Sequence, residues 1–245
     1  MGHSAFPRLT LWQRTSYIAL NDQEVISKDF VCTVTDSSPC PPRRSRRKSA
    51  RPAELLAAAT RLFVEKGYAA TRVEEVAALA QVSKGTLFLY YDSKETLLKA
   101  VVRENIAGRF AEWQTEMDTF TGSSSELVRY AFEVWQSRIG DTEAGGIYKL
   151  MTSEFCNFPE LAQFYLDEVI APGNQLVRRI LARGMASGEF RQMDLDAAVH
   201  LITTPMFSYI QWRYSIGMMF PASLGVTPET YFATQVDNLL RGLAA

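Results

Sequence analysis

The 245-residue chain has few of the residues that build metal centres and disulfide scaffolds. It contains two histidines, His3 and His200, and three cysteines, Cys32, Cys40 and Cys156. Cysteines so few and so scattered exclude a disulfide framework and a tetrahedral zinc site. The sequence has no run of 18 apolar residues, so we expect no membrane span. The composition predicts a cytoplasmic protein without a metal or another cofactor.

Charge is unevenly distributed, although the formal net charge is only −1. Residues 1–40 hold three basic and four acidic side chains, residues 41–109 hold fourteen and seven, and residues 110–245 hold nine and sixteen. The middle segment therefore has an excess of seven positive charges, which favours a polyanionic partner such as nucleic acid. The alternative at this point is an uneven surface without a partner.

Residues 1–48 differ from the rest because they show no helical period. They contain the sequence Ser-Ser-Pro-Cys-Pro-Pro at 37–42 and end in a basic run from Arg43 to Lys48. We interpret them as a weakly ordered extension that ends in a basic arm.

The remainder has the apolar spacing of α-helices. Pro52 suits the first turn of the first helix and Gly67 its end. Thr71-x-x-Glu74 has the pattern of a capping box that opens a second helix. Ser83 then caps a third helix. These signals predict an all-α fold, with a helix-turn-helix at about 72–91 inside an N-terminal domain at 49–109.

Later signals predict a larger helical domain at 110–245. Ser93 caps a helix expected to run unbroken over 94–118, and Ser123 caps the next one. We expect Gly140, and then Gly145-Gly146, to break that helix. The last two helices, at about 194–216 and 227–243, are long and amphipathic, which favours a dimer interface.

The first turn of the third helix reads Ser83-Lys84-Gly85-Thr86 and is rich in small and polar side chains. The second helix of a helix-turn-helix enters the major groove with its N-terminal residues at the base edges. Gly85 would allow the backbone to approach DNA closely. The alternative is that Gly85 only lets two helices pack closely.

The segment LLAAATRLFVEKGYAATRVEEVAALAQVSKGTLFLYYDSKETLLKAVV resembles the N-terminal DNA-binding domain of TetR-type transcriptional regulators. The resemblance covers about 49–109 without a gap. Its matching positions are Ala58, Phe63, Gly67, Thr71, Val76, Ala77, Val82, Ser83, Gly85, Thr86, Leu87, Tyr91, Lys94, Glu95 and Leu98.

Two residues depart from the family pattern. Gln81 replaces the usual turn glycine, so it must adopt left-handed geometry at a cost of about 1 kcal/mol or alter the turn. Phe88 replaces a tyrosine and cannot donate a hydrogen bond to DNA.

The resemblance implies a set of DNA-contacting residues, which are Arg46, Arg47, Lys48, Thr71, Ser83, Lys84, Gly85, Thr86, Phe88, Tyr90 and Lys94. Within this set, Lys84, Gly85 and Phe88 face base edges. The two threonines, Tyr90 and Lys94 contact phosphates, with Lys94 and the first-turn amides of its helix forming an anion site. The basic run forms an arm along the DNA. The alternative for that run is a solvated tail.

Residues 110–245 hold 19 of the 28 aromatic residues, and cavities for small molecules are lined by such side chains. The candidate effector-binding residues are Trp113, Trp135, Tyr148, Met151, Phe155, Tyr165 and Phe207. The alternative is that these side chains only form the core.

We therefore expect a bacterial, cytoplasmic, ligand-responsive transcriptional regulator that associates with the nucleoid when bound to DNA. It would bind a palindromic double-stranded operator as a homodimer through about 194–243, act as a repressor, and be released by a small hydrophobic effector. The alternatives are an enzyme with an appended DNA-binding domain and a ligand-independent DNA-binding protein. Since the sequence shows no histidine beside a nucleophile and no glycine-rich phosphate loop, we expect no enzyme.

Deletion of residues 1–40 is predicted to leave operator affinity within a few-fold, because this segment carries a net charge of −1. Deletion through Lys48 should weaken binding and make it less salt-dependent, since each lost phosphate contact releases about one counterion fewer. Fluorescence anisotropy across a salt series measures both effects. Loss of binding on removal of 1–40 alone would contradict the predicted boundary of the arm.

Overall fold

The structure, a computed structural model, describes residues 46–220 and 225–245, with side chains described from residue 51 onward. The described residues form twelve α-helices: α1 (Arg46–Lys66), α2 (Val73–Leu79), α3 (Lys84–Phe88), α4 (Lys94–Asn105), α5 (Phe110–Asp118), α6 (Ser124–Trp135), α7 (Glu143–Glu154), α8 (Pro159–Tyr165), α9 (Ala171–Ser187), α10 (Leu195–Arg213), α11 (Ile216–Met219) and α12 (Pro228–Leu243). A tight 3₁₀ turn at Ala107–Arg109 precedes α5, and wide π-helical turns at Gln136–Gly140 and Leu166–Ile170 follow α6 and α8. Within the described ranges no strand forms, so the all-α prediction is confirmed.

Most helix starts lie where the sequence predicts them, because their caps are local. The hydroxyls of Ser83, Ser93, Ser123 and Thr227 and the carboxylate of Asp194 each accept a hydrogen bond from a backbone N–H in the first turn of the helix that follows. Gly67 ends α1 in the left-handed conformation, with φ +85°.

The predicted start of α1 and the predicted capping box of α2 are wrong. Helix α1 begins at Arg46, and Pro52 lies inside it, where the ring removes one hydrogen bond while its φ still fits a helix. Arg72, not Thr71, precedes the first turn of α2, and its backbone N–H donates to Glu75 Oε2 at 3.2 Å. Thr71 is buried in the core instead.

The predicted unbroken helix over 94–118 is also wrong, because α4 ends at Asn105 and a 3₁₀ turn separates it from α5. Asn105 Nδ2 donates to the carbonyl of Val101 at 2.8 Å, and Gly108 lies in the 3₁₀ turn. Glycine has a low helix propensity, and side-chain bonds to the i−4 carbonyl compete with the helix, so both residues favour the break.

Gly145 and Gly146 do not break a helix but lie inside α7. A Cβ on Gly146 would lie 2.6 Å from Val64 Cγ1 on α1, and one on Gly145 would lie 2.8 Å from the ring of Tyr214. Both glycines therefore allow close packing: Gly146 lets α7 approach α1, and Gly145 leaves room for Tyr214.

Two apolar clusters hold the described helices together. The first includes the buried faces of α1–α4 and continues into α7 and α8, with Leu55, Phe63, Leu98, Ile147 and Leu161 fully buried. The second joins α6, α9, α10 and α12. Between 46 and 245, outside the gap at 221–224, no helix has the length and apolarity needed to cross a membrane.

Candidate DNA interface and effector cavity

Helices α2 and α3 form a helix-turn-helix whose turn depends on Gln81. Gln81 adopts φ +55°, so it accepts the left-handed geometry that a glycine would adopt without strain. The next residue closes the turn, since the N–H of Val82 donates to the carbonyl of Ala77 at 2.9 Å. The departure from the family pattern at this position thus leaves the turn intact.

Helix α3 is short and is held by one buried side chain and one cap. Leu87 is fully buried, and Ser83 Oγ accepts from the N–H of Thr86 at 3.0 Å. The hydroxyls of Ser83 and Thr86 also bond each other at 2.9 Å. Lys84, Gly85 and Phe88 are exposed. We name these three residues the α3 face.

Gly85 has open space around it. A Cβ at this position would meet only Ser83 Oγ, at 3.8 Å, which is ordinary van der Waals contact. The interpretation that Gly85 exists to let two helices pack closely therefore has no support in the structure. The open space leaves room for the backbone at Gly85 to be approached from outside the described residues.

The ammonium group of Lys84 is paired within the helix-turn-helix. Its Nζ lies 2.6 Å from Glu74 Oε1 on α2 and 5.7 Å from the centre of the Phe88 ring. The side chains of Lys84 and Glu74 are 55% and 56% exposed. An exposed pair contributes little stability, about 0–1 kcal/mol, so Lys84 can leave it to contact DNA.

Lys94 does not point away from the protein as a phosphate contact would. Its Nζ donates to the carbonyls of Tyr68, Ala69 and Thr71 at 2.7, 3.3 and 3.0 Å, and lies 4.4 Å from the centre of the Tyr68 ring. All three donors of the ammonium are thus used. Burial lowers the pKa of Lys94. This geometry holds the loop between α1 and α2 onto the start of α4, which differs from the role that the resemblance implies.

Thr71 faces a different direction from the one expected, and the side chains of the arm lie outside the described residues. The Thr71 hydroxyl is buried and donates to the carbonyls of Gly67 and Leu62 at 2.7 and 3.1 Å, so it faces the interior. Tyr90 is exposed, as a phosphate contact requires. The backbone of Arg46, Arg47 and Lys48 belongs to α1, while their side chains lie outside the described residues.

The sequence interpretation missed Leu89, which is 82% exposed at the end of α3. Leu89 follows the buried Leu87 by two residues, a spacing that puts two side chains on different faces of a helix. In the apolar run from Leu87 to Tyr91, this spacing is the sequence signal that indicates an exposed leucine. A leucine so exposed, next to Phe88, can contact thymine methyl groups.

A cavity of about 150 Å³ lies among the C-terminal helices. Five of the seven predicted effector-binding residues line it, namely Trp113, Trp135, Tyr148, Tyr165 and Phe207. Met151 and Phe155 do not line it. Met151 is fully buried in the core, and the Phe155 ring packs on that of Tyr165 at 5.8 Å between centres.

Helix α9 supplies much of the wall and was not predicted to do so. Leu176, Val177, Ile180 and Leu181 all line the cavity from this helix. Ile106, which follows the end of α4, lines it from the other side. The sequence shows that α9 is amphipathic, but an apolar stripe facing a cavity has the same pattern as one facing a packed core.

The cavity wall contains few polar groups. Tyr148 and Tyr165 lie in it, and burial raises the pKa of both phenols, so they remain protonated donors. Glu116 also lines it, bound by Arg138 Nη2 at 2.9 Å and by the Tyr130 hydroxyl at 3.1 Å. The Arg138 guanidinium lowers the pKa of Glu116, which keeps this carboxylate ionised at neutral pH.

These features define a helix-turn-helix DNA-binding regulator with a cavity for a small molecule. The family model for bacterial regulatory proteins of the tetR family matches residues 55–101, and the model for the C-terminal domain of AefR-like transcriptional repressors matches residues 134–225. The chain belongs to the TetR family of transcriptional regulators.

Relatives and solved structures agree with this assignment over most of the chain. The transcriptional repressor KstR2 of Rhodococcus jostii is 25% identical over 210 residues, which cover 85% of this chain and 98% of KstR2. The transcriptional regulator RutR of Escherichia coli K12 is 26% identical, with 81% and 91% covered. The structure of FadR from Bacillus subtilis in complex with stearoyl-CoA has the same fold, with a TM-score of 0.64, 19% identity, and 78% and 98% covered.

Substitution of Gly85 by alanine is predicted to separate folding from DNA recognition. The space at Gly85 is open and alanine favours helices, so G85A should leave the melting temperature unchanged or slightly raised. The added methyl group would lie between α3 and DNA, so operator affinity should fall at least tenfold. Calorimetry and anisotropy with the same preparation measure the two quantities. Unchanged operator affinity would contradict the assignment of the α3 face.

Lys84 and Lys94 are predicted to respond oppositely to substitution by methionine, which keeps an apolar stem and removes the charge. K84M should leave stability unchanged, cost about 1–3 kcal/mol on the operator and relax preference at one or two base pairs. K94M should lower stability by about 1–3 kcal/mol, because three carbonyls lose a charged donor, while the salt slope of binding to scrambled DNA stays the same. If K94M instead kept full stability and reduced that slope by about one, Lys94 would contact phosphate.

Proposed function

We propose that this protein is a transcriptional repressor that binds a palindromic operator as a dimer and leaves it when an apolar small molecule enters the cavity. The observation that carries the proposal is that one segment, Phe164–Ile170, lines the cavity on one side and holds α4 of the DNA-binding region on the other. The names of the repressor KstR2 and of the AefR-like C-terminal domain support repression. The stearoyl-CoA in the FadR structure supports an apolar effector.

Specific recognition of DNA is assigned to the α3 face, with Leu89 and Tyr90 beside it. Positive charge for phosphate contacts comes mainly from the arm. Residues 51–109 hold nine basic and seven acidic side chains, whereas residues 43–48 hold five basic and no acidic ones. Lys66 and Lys84 are moreover paired with Glu75 and Glu74. In this proposal the arm supplies affinity and the α3 face supplies sequence preference.

The proposed dimer interface lies on α10 and α12, within the predicted span of about 194–243. The two helices pack through Tyr209 and Phe232, whose ring centres are 4.8 Å apart. Their exposed faces carry mostly small residues at helical spacing, namely Ala197, Leu201, Thr204 and Ser208 on α10 and Thr234, Asn238 and Gly242 on α12, with Asp196 and Arg241 at the margins. Leu201 is 74% exposed. Such faces allow two helix pairs to approach closely, as a four-helix interface requires.

Coupling between cavity and DNA is assigned to Arg103 and Glu168. Arg103 Nε donates to Glu168 Oε2 at 2.7 Å, and the Arg103 guanidinium carbon lies 5.0 Å from the centre of the Phe164 ring. Tyr165 and Val169, in the same segment, line the cavity. An effector that displaces these two side chains would therefore move α4, which follows directly after α3 and the turn at Ser93.

That movement is assigned to the π-helical turn at Leu166–Ile170. A π turn inside a helix is rare and is often found at functional positions. Because α4 ends at Asn105, it can tilt without moving α5 as one rigid rod. The unbroken helix over 94–118 that the sequence predicted would have moved as one rod.

An enzymatic role is not part of the proposal. Among the side chains that the structure describes, no group of three histidine, cysteine or carboxylate residues is arranged to hold a metal ion. The cavity wall contains a single ionised residue, Glu116, which is already paired. The wall therefore fits binding better than acid–base chemistry.

The experiment starts with selection of operators from random duplex DNA by the full chain. We expect an inverted repeat bound by two protomers. N-phenyl-1-naphthylamine, a neutral apolar dye, then serves as the effector probe and should weaken operator binding 5- to 150-fold, the usual range of coupling. A dye that binds the cavity without changing operator affinity would contradict the proposal.

The coupling route is tested with R103Q and a matched control. R103Q should retain binding of dye and operator within about threefold each, while the effect of the dye on operator affinity falls toward one. Arg178→Gln removes another interhelical ion pair, with Asp196, that does not touch α4, and should keep the full effect. If the dye changed operator affinity by the same factor in both variants, the Arg103–Glu168 pair would not be the coupling route.

A further inference from the structure

The Trp113 side chain carries a buried hydrogen-bond donor without an acceptor. Trp113 is 8% exposed and lines the cavity, and its Nε1–H has no hydrogen-bond partner among the described residues. A buried donor left unpaired costs about 1–3 kcal/mol, so native proteins rarely retain one without a reason. The adjacent Phe110 ring lies at 89° to the indole, with 5.2 Å between centres. A contact of that donor with an aromatic ring is weaker than one with an oxygen.

Tyr148 and Tyr165 are neutral donors in the wall, which also contains Tyr130, Asn174 and Thr203. The hydroxyls of Tyr130 and Thr203 already donate to Glu116 and to the carbonyl of Val199, and the Asn174 amide can both donate and accept. Tyr165 is fully buried, and burial raises the pKa of its phenol far above the ordinary value, so the hydroxyl keeps its proton. Tyr148 behaves in the same way. The indole N–H is covered by neighbouring side chains, so an effector reaches it only when they move aside. An effector that does so would meet this N–H and phenolic O–H groups amid apolar side chains, which suits an oxygen acceptor on the ligand.

Charge in the wall argues against an anionic acceptor. No lysine or arginine is among the residues that line the cavity, and the single charged one is Glu116. Its carboxylate accepts hydrogen bonds from Arg138 and Tyr130, so the Arg138 guanidinium is already paired. A carboxylate buried there would lack a cation and would face a second anion, which is strongly unfavourable.

Resting on the proposed function, we infer that the effector is an apolar molecule whose buried end carries a neutral carbonyl oxygen, such as a ketone, ester or thioester, and that Trp113 Nε1–H donates to that oxygen. Tyr165 is assigned as the second donor. The apolar remainder of the effector lies along α9 and α10, against Leu176, Val177 and Met206.

The test uses three probes of equal chain length: 2-nonanone, nonane and nonanoate. Their affinities for the full chain without DNA are measured by displacement of N-phenyl-1-naphthylamine. W113F removes the N–H and keeps an aromatic ring, so it should weaken 2-nonanone about tenfold and nonane less than threefold. Nonanoate should bind at least tenfold more weakly than 2-nonanone. An equal effect of W113F on ketone and alkane, or tighter binding of nonanoate, would overturn the inference.

Two further variants separate the hydrogen bond from packing. Y165F removes only an oxygen and should also weaken 2-nonanone selectively. Phe110→Leu alters the apolar wall beside the indole and keeps every donor, so it should weaken ketone and alkane by the same factor. In NMR spectra, the indole N–H signal that is lost in W113F should move with 2-nonanone and stay in place with nonane. An indole signal that the ketone leaves unmoved would overturn the inference.

Operator binding distinguishes this inference from the proposed function. If 2-nonanone binds through Trp113 and leaves operator affinity unchanged, the inference stands and the proposed release mechanism fails. If 2-nonanone releases DNA while W113F and the indole signal show no involvement of Trp113, the release mechanism stands and the inference fails.

Discussion

The close packing of α7 on α1 is the constraint on which the rest of the structure depends. Gly146 leaves room for Val64, where a methyl group would lie 2.6 Å from the valine side chain. This contact lets one apolar cluster run from the helix-turn-helix into α7 and α8. Since close-packed interiors transmit displacement, a tilt of the DNA-binding helices is coupled through this cluster to α7 and α8. Tyr68 and Phe158, with ring centres 5.0 Å apart, reinforce the same junction.

The DNA-binding face itself is built from elements with little stability of their own. Helix α3 has five residues and relies on buried Leu87, on the cap of Ser83 and on the left-handed turn at Gln81. Lys94 donates hydrogen bonds that hold the loop before α2 in place. The dipole of α4 disfavours a cation at its first residue, so the three loop carbonyls that follow α1 are what hold the ammonium there. Short elements held by such contacts respond readily to a shift of α4.

The cavity and the core are built from the same kinds of side chain, which limits what sequence can say about the effector site. Met151 and Trp113 both lie on amphipathic helices, yet one is packed in the core and the other lines the cavity. The difference depends on whether the facing helix fills the space. Five of the seven candidates line the cavity, while Met151 and Phe155 pack in the core beside it. The unpaired Nε1–H of Trp113 becomes visible only when all its neighbours are known.

The sequence alone determined the helical class, the helix starts at serine, threonine and aspartate caps, and the family, because each depends on contacts within about four residues or on residues at fixed spacing. Tertiary structure decided the direction of the Lys94 side chain, the burial of Thr71, the break after Asn105 and the use of Gly145-Gly146 for packing. The partners of Lys94 are 23 to 26 residues away in the chain, and those of the glycines lie on other helices. Local patterns specify hydrogen bonds along one helix, whereas a side chain between helices has its role set by whichever helix packs against it.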